Sequence, residues 1–230
     1  MPRAIKLLSA GAVEPGMVKV IEAFRRETGD DVRVAFATAP AIRKRLAGAD
    51  AADVVIAPPD VLDELVKAGK AQASDRVIVG RVGIGVMVRA GAPLPKIATV
   101  NEFKQSLLNA KSIVYNQAST GIYLQSLFAR LGIAAQLAPK TTRYPDFAHV
   151  RDHIRKGKAA EIGLGATTVI IEAETKGLKF VGPLPAELQN YTTYAATVMA
   201  ASAAQDAAQA FLRYLISPGA KALFAAAGIE

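Results

Sequence analysis

The stretch Ala4–Phe36, AIKLLSAGAVEPGMVKVIEAFRRETGDDVRVAF, decides the fold. Ala4–Leu8 has the length and apolar character of a strand. From about Pro15 to Arg26, Met17, Val20, Ile21 and Phe24 recur at the spacing that puts one apolar stripe on a helix. In Asp31–Phe36 the period changes to two, with Val32, Val34 and Phe36 alternating as in a second strand. Further along, a helix over Ala41–Leu46, a strand at Val54–Ala57 and a helix at Val61–Val66 complete a βαβαβα unit. Such a unit implies a parallel sheet covered by helices on both faces.

At Val77–Val88 the pattern becomes two adjacent strand-like runs, Val77–Val79 and Val82–Val88, separated by Gly80-Arg81, where the chain is expected to cross into a second lobe. A second α/β series follows, with helices at Val100–Leu108, Ile122–Leu131 and Phe147–Arg155 and strands at Ser112–Tyr115, Glu161–Leu164 and Lys179–Val181. The extended run Tyr191–Met199 carries the chain back. Two helices, Ala203–Leu215 and Pro218–Ala226, close it, the latter with Ser217 as N-cap, Pro218 at the first position and Gly228 as the stop. The expected architecture is α/β: two lobes with mixed, mostly parallel sheets joined by a two-crossing hinge near residues 80–84 and 192–197. Lobe I takes residues 1–81 plus 196–230 and lobe II residues 82–195.

Composition narrows the chemistry. The 230 residues are 51% hydrophobic and 21% charged, enough for a sizeable core, and 28 Lys+Arg against 20 Asp+Glu give a net charge of +8. The absence of Cys removes disulfides, thiolate nucleophiles and Cys-ligated metals together, and only two His remain. No metal or cofactor is expected. The charge-free stretches Ser112–Ala129 and Leu188–Gln205 are studded with Ser, Thr, Asn and Gln, so no membrane insertion is expected. Met1–Ala10 lacks the apolar stretch and cleavage site of a secretory signal.

In open parallel sheets a ligand lies beyond the carboxyl ends of the strands, where helix N-termini offer N–H groups and a positive dipole end. Those positions are Gly11–Glu14, Thr38–Pro40, Asn116–Gly121 and Gly165–Thr168, each rich in small or hydroxylic residues. They would hold an anion chiefly through backbone N–H and hydroxyl donors, and the net positive charge would draw it in.

With those segments placed, the chain resembles the periplasmic molybdate-binding-protein family, the type II solute-binding proteins of ABC transporters. The resemblance spans nearly the whole sequence. It is carried by Ile5–Ala10 with the following helix to Phe24-Arg25-Arg26-Glu27-Thr28-Gly29, by Val34–Thr38, by Leu46–Ile56, by Ser119-Thr120-Gly121-Ile122-Tyr123 running to Leu131-Gly132, and by Phe211–Leu215 with Ser217–Phe224. It implies a two-lobed fold, a small anionic ligand, an ABC transporter permease as partner, a monomer, and a periplasmic location. A native start at Met1 would instead imply the cytoplasm. The resemblance also implies where oxyanion donors belong: a serine at the first strand–helix turn, a serine after the next strand, and a tyrosine late in the second lobe. Here those positions are Ala12, Ala39 and Ala166. Each missing charge-assisted hydrogen bond costs about 1.5–3 kcal/mol, which disfavours molybdate. The alanines also make room for a larger, partly apolar anion such as an organic carboxylate.

The broad family further includes aconitate isomerase, which implies an alternative: an isomerase of small polycarboxylates. A 1,3-proton shift needs a base, and Glu14 at the mouth of the first helix is the carboxylate candidate, unless it merely stabilises the helix dipole. The candidate ligand-binding set is Gly11, Ala12, Thr38, Ala39, Ser119, Thr120, Arg143, Ala166 and Thr167. Thr38, Ser119 and Thr120 are either ligand contacts or N-caps. Arg143, read on a loop before the His149 helix, is either a bidentate carboxylate clamp or an exposed arginine. His149 and His153 share one helix face, expected to be solvated. The basic runs Arg43-Lys44-Arg45 and Arg151–Lys158 lack aromatic platforms, so no nucleic-acid partner is expected. Gly83 and Gly85 form an isolated Gly-x-Gly with no following helix, which indicates no dinucleotide site.

Overall fold

The computed structural model describes residues 4–48, 51–158 and 160–230. Met1–Arg3, which bear on the question of a leader, and Ala49-Asp50 within the quoted resemblance lie outside the described residues. The chain divides into two compact units, one running to Val82 and resuming at Thr193–Glu230, the other Gly83–Thr192.

In the first unit β1 (Ala4–Ala10), α1 (Glu14–Thr28), β2 (Asp31–Ala37), α2 (Ala39–Ala47), β3 (Val54–Ala57), α3 (Pro59–Lys67) and β4 (Val77–Val82) follow in order. The second unit holds β5 (Ile84–Arg89), α4 (Val100–Asn109), β6 (Ser112–Asn116), α5 (Ser119–Arg130), α6 (Ala134–Leu137), β7 (Thr141–Tyr144), α7 (Phe147–Lys156), β8 (Glu161–Ala166), α8 (Thr167–Glu172) and β9 (Leu178–Pro183). The chain then returns through β10 (Thr192–Val198), α9 (Gln205–Leu215) and α10 (Pro218–Ala226).

Each unit is built on a mixed five-stranded sheet, ordered β2-β1-β3-β10-β4 in the first and β7-β6-β8-β5-β9 in the second. A parallel trio sits in each: β1 runs parallel to β2 and β3, and β6 parallel to β7 and β8. The antiparallel neighbours are β10 on β3, and β5 on β8 and β9. A parallel pair needs a crossover, and the helices that supply it cover the sheet faces. In the second unit the period-two rule sorts the strands cleanly. Ile113 and Tyr115 face a cluster with Phe103, Leu107, Leu124 and Phe128, while Val114 between them faces Val150, Ile154 and Ile170. In the first unit, Phe24 of α1 meets Phe211 of α9 edge-to-face with ring centroids 5.0 Å apart, and Phe224 of α10 is buried. The apolar stripe of α1 is thus covered by the chain's own C-terminal helices. Ser217 caps α10 as expected, its hydroxyl accepting from the Ala220 N–H at 3.2 Å.

The break expected at Gly80-Arg81 lies instead at Gly83, because β4 continues through Gly80-Arg81 to Val82. The chain end holds it extended: the Arg81 N–H donates to the Glu230 carbonyl at 2.7 Å and the Glu230 N–H donates back at 3.0 Å. A Cβ at residue 80 would stand 2.5 Å from Ile229 Cγ2, so the close approach requires glycine there.

Asp53 ties the first unit together just before β3. Its buried carboxylate accepts from the Lys6 N–H of β1 at 2.8 Å and from the Ser202 hydroxyl beyond β10 at 2.6 Å. Asp53→Ala is expected to lower unfolding stability by at least about 2 kcal/mol, since it removes two hydrogen bonds to a charged acceptor and leaves their donors unpaired. Denaturant unfolding of the variant checks this. A midpoint unchanged from the parent would contradict it.

Candidate ligand site

The parallel trio of each sheet ends on one edge. In the first unit these ends lead into a short 3₁₀ turn at Gly11–Val13 and into α1, α2 and α3. In the second they lead into α5, α7 and α8. This edge is where the candidate residues lie, each unit carrying its own set.

In the first unit, Glu14 opens α1 and is exposed, with Pro15 following it. The Glu14 N–H donates to the Gly11 carbonyl. Thr38 is the N-cap of α2, and its side chain makes no capping hydrogen bond. Ala39 is buried behind it and Pro40 lacks an N–H. The turn after β3, which the sequence reading passed over, ends on the same edge. It opens α3 with Pro58 and Pro59, and so offers fewer donors than its neighbours.

The second unit has the richer donor set. Ala118 is the N-cap of α5, its N–H donating to the Asn116 side-chain oxygen at 3.2 Å. Ser119 and Thr120 therefore stand at the first two helical positions and are not caps. Their hydroxyls make no hydrogen bond to another described residue. No proline interrupts this turn, so the N–H groups of Ser119, Thr120 and Gly121 project from the helix end without an intrahelical acceptor. The turn is also sterically tight: a Cβ on Gly121 would stand 1.8 Å from the Asn116 carbonyl oxygen. That close pass requires the glycine that ends the Ser-Thr-Gly motif.

At the end of β8, Ala166 is buried and precedes α8, which has only six residues. The Thr167 N–H already donates to the Gly83 carbonyl at 3.0 Å, which leaves its side chain as the remaining donor.

Arg143 does not lie on a loop. It belongs to β7, opposite Tyr115 of β6, because Thr141–Tyr144 pairs in parallel with Ile113–Asn116. The alternation in this short edge strand escapes notice in the sequence because Thr, Thr, Arg and Tyr are all half-buried. The guanidinium sits 5.8 Å from the centroid of the Tyr115 ring. It lines a cavity along α5 and α6 whose walls include neither Ser119 nor Thr120. Arg143 and the helix-end hydroxyls are therefore separate features of the second unit.

The two histidines also depart from a plainly solvated face. His149 is exposed, but its Nδ1 is 2.8 Å from the Asp146 carboxylate and its ring stacks on Tyr144. Burial pushes the Asp146 carboxyl up, and the hydrogen bonds from the His149 ring and backbone outweigh it, leaving the group below its ordinary value. His153 is half-buried, with Nδ1 3.0 Å from the Tyr144 hydroxyl and Nε2 3.7 Å from Glu161. These partners come from β7 and β8, which the i, i+4 spacing alone does not reveal. The basic runs are engaged as well. Arg43 bonds Glu64 and Asp60 across α2 and α3, and Arg151 and Arg155 face Asp152.

The sequence pattern of the bacterial extracellular solute-binding proteins matches residues 5–230. The chain belongs to that family. It is 31% identical to an aconitate isomerase from Pseudomonas sp. over 98% of this chain and 87% of that protein. Among solved structures it superposes on the Azotobacter vinelandii periplasmic molybdate-binding protein with a TM-score of 0.82, at 18% identity and covering 98% of both chains. The sulfate-binding protein SubI of Mycobacterium tuberculosis H37Rv gives 0.76 at 20% identity, covering 98% of this chain and 86% of that one. The two-lobed periplasmic binding protein fold expected from the sequence is thereby established. At these identities the superpositions establish the fold alone.

Two glycines on the carboxyl edges should respond differently to substitution. Gly121→Ala is expected to destabilise the protein by about 1–3 kcal/mol or more, because backbone must move to admit the methyl group. Gly11→Ala has nothing within 4 Å of the new Cβ and is expected to stay within about 0.5 kcal/mol of the parent. Thermal unfolding of both variants tests the pair, and equal losses would contradict this reading of the α5 turn.

Proposed function

We propose that this chain is a solute-binding protein for a small organic carboxylate, with the crossings near residues 80–84 and 192–197 serving as the hinge for closure. The ligand would be held by backbone at Gly11, Ala12, Ala39 and Ala166 and by the hydroxyls of Thr38, Ser119 and Thr120, with Thr167 secondary. The observation that carries this reading is the set of alanines at 12, 39 and 166. The family resemblance implies serine, serine and tyrosine there, and a bare oxyanion depends on such donors. A carboxylate with an apolar or hydroxylated body asks less of those positions and uses the room that alanine leaves. The ligand's destination would be an ABC transporter permease, and the family's extracellular designation supports a location outside the cytoplasm.

The 31% identity to a Pseudomonas aconitate isomerase favours a second reading, in which the bound polycarboxylate is also isomerised. Glu14 would take a proton from one carbon of an allylic triad, the double bond would shift, and a proton would return to the far carbon. The helix-end donors would stabilise the enolate-like charge between those steps.

A thermal-shift screen against molybdate, tungstate, sulfate, phosphate and a panel of di- and tricarboxylates tests the first reading. A true ligand at 100 times its dissociation constant stabilises by about 2.7 kcal/mol. Stabilisation by a carboxylate is expected, and stabilisation by molybdate or tungstate alone would contradict the proposal. Incubating the stabilising carboxylate with the protein in deuterated water separates the two readings. A carrier leaves the proton spectrum unchanged. An isomerase converts the spectrum to that of a mixture of the two double-bond isomers, and Glu14→Gln abolishes that conversion while retaining the thermal shift.

A further inference from the structure

A cavity of about 360 Å³ lies within the second unit between the α5–α6 flank and strands β6 and β7. One end is polar. Arg143 enters from β7 with its guanidinium over the Tyr115 ring, and its Nε is shielded from solvent with no hydrogen-bond partner among the described residues. An arginine cannot discharge itself by losing a proton, so a shielded, unpaired donor on it calls for an acceptor from outside the chain. Burial pushes the Tyr115 hydroxyl above its ordinary value, against the pull of Arg143, so that group stays protonated and neutral. The rest of the lining is mostly apolar, with Phe128, packed edge-to-face on Tyr115, and Leu137 at the buried floor and Ala134 and Ala138 at the exposed rim, while Gln125 and Thr141 add polar groups. A few polar groups, one of them a cation, in a mostly apolar cavity of this size are the usual form of a small-molecule site.

We propose that this cavity is a second ligand site, distinct from the carboxyl-edge site, that binds a monocarboxylate with a compact apolar body, its carboxylate on Arg143 and its body against Phe128, Leu137 and Ala134. Arg143 offers a planar fork that matches a carboxylate in two parallel hydrogen bonds. The apolar walls select against small, fully hydrated anions, which bring nothing to cover them. The site stands on the second unit alone and does not depend on which ligand the carboxyl edges take.

Titration calorimetry with benzoate, benzamide and acetate tests the proposal on the full chain. Benzoate is expected to bind at one site in the micromolar to low-millimolar range. Benzamide, of the same shape without the charge, and acetate, charged without the body, are each expected to bind at least tenfold more weakly. Arg143→Gln is expected to weaken benzoate at least twentyfold. Ala134→Phe, which fills the cavity from α6 and leaves Arg143 in place, is expected to abolish the binding with the folded circular dichroism spectrum retained. Benzoate binding that survives both substitutions, or benzamide binding as tightly as benzoate, would overturn the proposal. So would an absence of benzoate binding to the parent chain at ten millimolar.

Discussion

Parallel strands can be joined only by carrying the chain back along the whole sheet, and that requirement organises both units of this protein. Because β1, β2 and β3 run one way, and β6, β7 and β8 likewise run one way within their own sheet, every crossover helix among them begins at one edge. The unpaired N–H groups of helix N-termini therefore collect where the strands end. Those N–H groups, with the helix dipoles behind them, present positive potential there. The residues at those ends decide how many donors remain and how much space a ligand finds. Proline at positions 15, 40, 58 and 59 removes N–H groups in the first unit, whereas α5 begins without one. The second unit's α5 turn is accordingly the strongest single donor cluster, and its geometry depends on Gly121 passing close beneath the Asn116 carbonyl.

The fold was legible in the sequence because its signals are local. The period-two run of β2, the apolar stripe of α1 and the Ser217-Pro218 start of α10 each report directly on one element. What stayed hidden depends on partners distant in the chain. The strand β7 carries no apolar alternation and gains its identity only by pairing with β6. β4 passes straight through Gly80 because Ile229 and Glu230 lie against it, a contact across almost the whole sequence. His153 is drawn inward by Tyr144 and Glu161, neither of which shares its helix.

The candidate site was legible as a set of turns, and less so as a set of donors. Gly11–Glu14, Thr38–Pro40 and Asn116–Gly121 do fall at strand ends, since a strand followed by a helix fixes that placement in a parallel sheet. Which groups are available there is a matter of individual hydrogen bonds. Thr167 has its N–H bound to Gly83, and Ser119 and Thr120 keep their hydroxyls out of capping because Asn116 holds Ala118 instead. Arg143 belongs with Tyr115 and Phe128 on the α5–α6 flank, a placement set by strand register and not by its neighbours in sequence.

Alanine stands at 12, 39 and 166, where the family resemblance implies oxyanion donors, and the most direct test is to supply them. Molybdate affinity should be measured by calorimetry for the unaltered chain and for the Ala12→Ser, Ala39→Ser double variant. Negligible binding is expected of the unaltered chain and a gain of about a hundredfold or more in the variant, the equivalent of two restored charge-assisted hydrogen bonds. Tight molybdate binding by the unaltered chain, with no gain from the serines, would contradict that expectation.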